Sequence, residues 1–160
     1  MKRYLGLSAI VIALDLLTKY WVQSVLTDGE QRTVTSFFNL VLFHNEGAAF
    51  SFLANAGGWQ RIFFSSISVI ASTVIIYLLR KHSNQKLFCL GLALILGGAL
   101  GNLYDRLTLG YVVDFLYFHY HQYYWPAFNV ADSAISCGVV LLLWDSFRKP
   151  AGKDIEQQEQ

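Results

Sequence analysis

Two aspartates sit where a solvated loop would not be built. Asp114 lies in Gly110-Tyr111-Val112-Val113-Asp114-Phe115, and Asp132 has Val130, Ala131, Ala134 and Ile135 for neighbours. Nothing beside Asp132 can compensate its charge, so it needs a partner from elsewhere, for which Asp114 and Arg106 are the candidates. Two carboxyls brought together in low-dielectric surroundings cannot both ionise easily, and they share one proton. Such a pair can hydrolyse an amide. The ionised member takes a proton from water as it attacks the carbonyl, while the protonated member hydrogen-bonds that carbonyl and later protonates the departing amine. Spacing alone does not single out this pair, because other acids on the same side of the chain satisfy it. Asp15 and Lys19 form a different constellation. They stand one helical turn apart, which permits an i,i+4 ion pair, and both a packing role and a catalytic role are open for them.

Other chemistries find no support. H-E-x-x-H, G-x-S-x-G, C-x-x-C and the P-loop pattern are all absent from the sequence. Of His44, His82, His119 and His121, only His119 and His121 are spaced to share a strand face, and they read as an interfacial polar pair rather than metal ligands. Cys89 and Cys137 fall inside apolar runs and read as small core residues. No metal and no cofactor is expected.

The elements that must position these groups follow from composition. Of 160 residues 54% are hydrophobic and only 14% charged, with 12 Lys+Arg against 11 Asp+Glu. This balance excludes the basic footprint of a nucleic-acid binder, and the apolar excess excludes intrinsic disorder. Two Cys and two Pro leave no disulfide scaffold and no Pro-rich linker. Between Ile62 and Leu79 only Tyr77 is ionisable, and between Leu87 and Leu103 only Cys89. Runs of roughly 17–25 apolar residues cross a hydrocarbon core of about 30 Å. With two further runs interrupted by polar residues, the expected spans are 4–26, 61–79, 87–104 and 127–147. The first could instead be a secretory signal peptide after Lys2 and Arg3, but it lacks a small-residue exit and contains Asp15 and Lys19, so it is read as an uncleaved span. With the fourth helix starting near Pro126, Asp132 would lie about six residues, or ~9 Å, below the outer surface.

Four spans place both termini on one side. Lys2, Arg3, Arg80, Lys81, Lys86, Arg148, Lys149 and Lys153 fall on that side, and Arg32, Arg61 and Arg106 on the other. The positive-inside bias makes the termini cytoplasmic and turns 27–60 and 104–126 outward. The first outward segment, with Phe37, Phe38, Leu40 to Phe43, Phe50, Phe52 and Leu53, is rich in strand formers. The second packs six aromatics into Tyr117 to Trp125 and reads as an interfacial belt. Gly57-Gly58 marks a turn into the second span. Gly97 and Gly101 share a helical face suited to close packing, with Gly91 and Gly98 nearby. The organisation expected is a single membrane domain over 1–150 and a polar, frayed tail over 151–160.

Five ordered blocks carry a resemblance to a family. Asp15-Leu16-Leu17-Thr18-Lys19, Asn45-Glu46-Gly47-Ala48-Ala49-Phe50, Gly101-Asn102-Leu103-Tyr104-Asp105-Arg106, Val112-Val113-Asp114-Phe115 and Phe128-Asn129-Val130-Ala131-Asp132-Ser133 resemble those of lipoprotein signal peptidase, or signal peptidase II. The resemblance runs from the first span to the last. It implies an all-α membrane protein, a four-transmembrane-helix bundle with a small extracytoplasmic β element and both termini cytoplasmic. It implies a monomeric aspartic endopeptidase of the bacterial cytoplasmic membrane that cuts prolipoproteins just before a diacylglyceryl-modified Cys, meets membrane lipid and is inhibited by globomycin-type peptides. By motif match, Asp114 and Asp132 correspond to the catalytic pair. Asn45, Gly47, Asn102, Arg106 and Asn129 correspond to residues that bind substrate or support the site, and Asp15 with Lys19 to the polar pair of the first helix. Two other readings of the acids are a small proton- or cation-coupled transporter and a presenilin-like intramembrane protease. The spans lack the duplicated hydropathy of many carriers, and the chain lacks the G-x-G-D of the second class.

Overall fold

The computed structural model describes residues 1–47 and 58–148. The expectations for Ala48 to Phe50, Phe52, Leu53, Gly57, Lys149, Lys153 and the tail over 151–160 lie outside the described residues. Four helices carry the fold: α1 (Lys2–Val25), α2 (Trp59–Lys81), α3 (Lys86–Thr108) and α4 (Val130–Arg148). Each is long and apolar enough to cross a membrane, and the chain is a multi-pass membrane protein. Strands β1 (Gln31–Thr35) and β2 (Phe38–Asn45) join α1 to α2, while β3 (Val112–Tyr120) and β4 (Tyr123–Tyr124) join α3 to α4. All the strands therefore belong to the connections at one end of the bundle.

The bundle is polar within and apolar without. On α1 the buried residues are Tyr4, Ser8, Val11, Asp15, Lys19 and Val22, a stripe at i,i+3/i+4 spacing, whereas Ile10, Leu14, Leu17 and Trp21 are exposed. Exposed apolar residues cost nothing in lipid, and ionisable side chains are tolerated only where they face protein or a polar cavity. Helix α3 is the centre, packed against α1, α2 and α4. Its glycines permit that. A Cβ on Gly97 would lie 2.7 Å from Val11 Cβ on α1, one on Gly98 would run into the Ala131 carbonyl oxygen on α4, and one on Gly91 would lie 2.9 Å from the Gly138 carbonyl oxygen. Small residues thus let the backbones approach, as expected where burial from water drives nothing between helices.

The strands form one antiparallel sheet in the order β1-β2-β3-β4. In β2–β3, Phe43 pairs with Asp114 and Asn45 with Val112, after an irregularity between Leu40 and Phe43. Helix α3 reaches β3 through a tight exit: Leu109 and Gly110 N–H both donate to the Asp105 carbonyl, and Gly110 takes φ 92°. Only glycine enters that left-handed region without strain. After β4 the chain returns to β3, where Phe128 exchanges backbone hydrogen bonds with Leu116 at 2.8 and 3.0 Å. That return sets the residue after Phe128, Asn129, beside Asp114.

Several expectations shift. Helix α3 continues to Thr108, past the expected end at 104. Helix α4 starts at Val130, not near Pro126, because Phe128 is held by backbone hydrogen bonds to β3; Asp132 is therefore in the first helical turn rather than about six residues down. The aromatic segment 117–125 is largely strand, with Tyr120, Tyr123, Tyr124 and Trp125 exposed as a belt residue would be. His121 has φ 51° in the turn between β3 and β4 and so does not share a strand face with His119. Cys89 is buried as expected, but Cys137 is exposed on α4 and is not a core residue.

Candidate active site

The acids converge where the sheet meets the bundle. Asp114 is carried by β3, 3% exposed. Phe43 is its cross-strand partner, so Asn45 stands diagonally opposite on the same face. Asn45 Nδ2 donates to Asp114 Oδ2 at 2.9 Å, and Asn129 Nδ2 donates to Asp114 Oδ1 at 2.7 Å. Asp132 is held from the other side. Asn102 Nδ2 donates to its Oδ1 at 2.8 Å, and the Asn129 backbone N–H faces its Oδ2 at 3.3 Å.

Asn129 joins the two acids. Its side-chain oxygen accepts the Asp132 backbone N–H at 2.9 Å, which makes Asn129 the N-cap of α4 and, with the return bond from its own N–H to Asp132, a reciprocal capping box. That cap also fixes the amide: with the oxygen occupied by a donor, the NH2 must turn to Asp114. The other two asparagines are oriented the same way. Gly47 N–H donates to Asn45 Oδ1 at 3.0 Å, and Lys19 Nζ donates to Asn102 Oδ1 at 2.9 Å, so both NH2 groups point at carboxylates. Asp114 is pushed up to about 7, first by burial and next by the neighbouring Asp132 carboxylate, against the lowering effect of Asn45 and Asn129.

Beneath the pair lies a buried ionic cluster. Lys19 Nζ is 2.7 Å from Asp15 Oδ2 and 2.9 Å from Asp105 Oδ2. The i,i+4 pair expected on α1 is thus present. Asp105 was not foreseen in this place. Its spacing from Asn102, three residues along α3, was the available signal, since i and i+3 share a helical face. Arg106 is not Asp105's partner. Its Nη1 and Nη2 face the carbonyls of Asn102 and Gly47, each at 3.4 Å, and its guanidinium lies 5.3 Å from the centre of the Phe64 ring. Asn45, Gly47, Asn102, Arg106, Asn129, Asp114 and Asp132 are therefore brought together, with Asp15 and Lys19 directly behind Asn102. Among the described residues no cluster of His, Cys and acids could hold a metal ion.

A cleft of about 770 Å3 opens over the two aspartates. Its floor is α3, with Ile95, Ala99, Asn102 and Arg106, and its walls are α2 and α4, with Ile67, Ser68 and Ala71 facing Ser133, Ile135 and Ser136. Trp125 and Phe128 line it as well. The lining is predominantly apolar, with the polar groups gathered at Asp114 and Asp132. An amide substrate with a large apolar appendage suits this division, because a few placed polar groups orient the reacting bond while the apolar walls hold the remainder.

Comparison with known proteins agrees with that geometry. The family model for signal peptidase (SPase) II matches residues 7–148. The chain is 58% identical over 149 residues to a lipoprotein signal peptidase of Paraburkholderia phytofirmans, covering 93% of this chain and 87% of that one. It is 60% identical over 146 residues to a lipoprotein signal peptidase of Ralstonia nicotianae, covering 91% and 84%. A bacterial membrane enzyme solved by the in meso method at 2.3 Å resolution superposes with a TM-score of 0.85 at 28% identity, covering 96% of this chain and 92% of the other. A second, at 1.9 Å, gives 0.81 at 29% identity over 94% and 96%. The fold, the match along nearly the whole helical body and these identities together assign the chain to the signal peptidase (SPase) II family.

Proposed function

We propose that this signal peptidase cleaves prolipoproteins before a diacylglyceryl-modified Cys, with Asp114 and Asp132 as the catalytic pair. The observation that carries the reading is Asn129: one side chain caps the helix bearing Asp132 and donates to Asp114, so the two acids are held as a unit. Asp114, raised to about 7, holds the shared proton and acts as the acid. Asp132 sits in the first turn of α4, where the helix dipole favours an anion, and acts as the base toward water. Asp132 takes a proton from water as its oxygen bonds to the scissile carbonyl carbon. Asp114 hydrogen-bonds the carbonyl oxygen and gives its proton to the departing amine as the C–N bond breaks, and the proton taken from water by Asp132 remains as the one the pair shares. Asn45, Asn102 and Asn129 keep both carboxyls aimed, and Arg106 holds Gly47 against α3.

The apolar walls of the cleft fit the diacylglyceryl chains entering from the bilayer, and globomycin-type peptides would compete for the same space. The sheet and the pair lie on the outer side of the inner membrane, both termini are cytoplasmic, and the protein works as a monomer over a domain spanning 1–150. The test is cleavage of a lipidated prolipoprotein by the purified chain with a chelator present. Asp114→Asn and Asp132→Asn are each expected to fold and to lose turnover by at least about 10³-fold. Near-normal turnover in either variant, or cleavage indifferent to the lipid, would overturn the reading.

A further inference from the structure

The ionic cluster behind the dyad has a symmetry that packing alone does not require. Lys19 has three N–H donors and three acceptors within 2.9 Å: Asp15 Oδ2, Asp105 Oδ2 and Asn102 Oδ1. Each of the two carboxylates also takes a backbone N–H. Asp105 Oδ2 accepts from Val113 at 3.2 Å, and Asp15 Oδ1 accepts from Ala131 at 2.9 Å. Val113 immediately precedes Asp114, and Ala131 immediately precedes Asp132. One ammonium on α1 is therefore two bonds away from the backbone of both acids, which are carried by separate elements, β3 and α4.

We infer that Lys19 is a positioning residue which, through Asp105 and Asp15, clamps the backbone next to each member of the dyad and so sets the separation of the two carboxyls. This rests on the assignment of Asp114 and Asp132 proposed above. The two arms of the clamp differ in a way that can be tested. Asp105 meets both the Lys19 ammonium and the Val113 N–H on one oxygen, whereas Asp15 accepts the Ala131 N–H on Oδ1 and meets the Lys19 ammonium on Oδ2 as an ion pair without a hydrogen bond. Asparagine has a single acceptor oxygen. In place of Asp105 it can serve Lys19 and Val113 together; in place of Asp15 it must turn an NH2 toward either Lys19 or the Ala131 N–H. Both substitutions remove the same buried charge, so a purely electrostatic role makes them equal, while the clamp ranks them.

The experiment compares Asp105→Asn, Asp105→Leu and Asp15→Asn in the full chain, purified in detergent, on a diacylglyceryl-modified prolipoprotein. Asp105→Asn is expected to lower kcat by about threefold, and Asp105→Leu and Asp15→Asn by at least about 30-fold, with KM within about twofold throughout. KM should hold because neither Asp15 nor Asp105 is among the described residues lining the cleft. Equal losses in Asp105→Asn and Asp105→Leu, or a kcat for Asp15→Asn as high as that for Asp105→Asn, would overturn the inference. Should Asp15→Asn fail to fold in a thermal melt, the Asn/Leu contrast at residue 105 decides alone. Wild type and Asp114→Asn run beside them separate the two levels: turnover by Asp114→Asn refutes the dyad itself, whereas an inactive Asp114→Asn with no Asn/Leu contrast refutes only the clamp.

Discussion

Asp114 combines burial with a neighbouring carboxylate, and both act in the same direction on its proton. In its proposed role as the acid of the pair it must be protonated to work, so kcat/KM is expected to fall as pH rises through about 7, a limb that a pH–rate series on the lipidated substrate would locate. The same proton has a consequence for stability. A carboxyl raised from 3.8 to about 7 on folding binds its proton more tightly in the native state, so stability declines as pH climbs between those values and is flat above the upper one. Asparagine at this position does not titrate. The wild-type stability minus that of Asp114→Asn should therefore fall between pH 5 and pH 8, by up to about 3 kcal/mol, whatever the offset set by giving Asn45 and Asn129 a single acceptor oxygen. Melts in which that difference does not fall between pH 5 and pH 8 would contradict the raised Asp114 carboxyl. Both catalytic candidates were legible in the sequence because acids among Val, Ala and Phe stand out. Asp105 was not, since Arg106 beside it offered a nearer partner than Lys19, which lies on another helix.

At the level of elements, two spans could be read directly from uninterrupted apolar runs and two from runs broken by polar residues, but their ends could not. The start of α4 was obscured by Ala127 and Phe128, which extend the apolar run although Phe128 pairs with β3. The signature Asn129-x-x-Asp132 of a capping box marks the true start. Strand β3 was read as a belt because its partner β2 lies far upstream, on the other side of two helices, and pairing at that distance leaves no local trace. The glycines of α3, by contrast, declared their role by spacing. Gly98 meets the Ala131 carbonyl, one residue from Asp132, so Gly98→Ala must push α4 outward and move Asp132. A loss of about 1–3 kcal/mol and at least a tenfold fall in kcat are expected. Gly6→Ala, where an added Cβ meets nothing within 4 Å, should be neutral or gain up to about 1 kcal/mol from helix propensity. Thermal melts and turnover of the two variants together would show whether close approach of α3 and α4, rather than helix propensity, governs the site.

The molecule as a whole places hydrolysis in a medium that holds little water. One polar network runs from Asp15 on α1 to Asn45 on β2, and the cleft between α2 and α4 that opens onto it has a mostly apolar wall. A substrate anchored by acyl chains does not need to leave the bilayer to reach Asp114 and Asp132 there. It needs space between the two helices. Ala71 on α2 lines that space and is none of the carboxyls' hydrogen-bond partners. Ala71→Trp should therefore obstruct the acyl chains while leaving the reacting groups in place. The expected result is a KM at least about tenfold higher for the lipidated prolipoprotein with kcat within about threefold, the pattern of lost binding that does not change between ground and transition states. Were kcat to fall instead at unchanged KM, the cleft would be coupled to the chemistry rather than to the lipid, and the acyl chains would have to lie on the outer surface of α2 and α4.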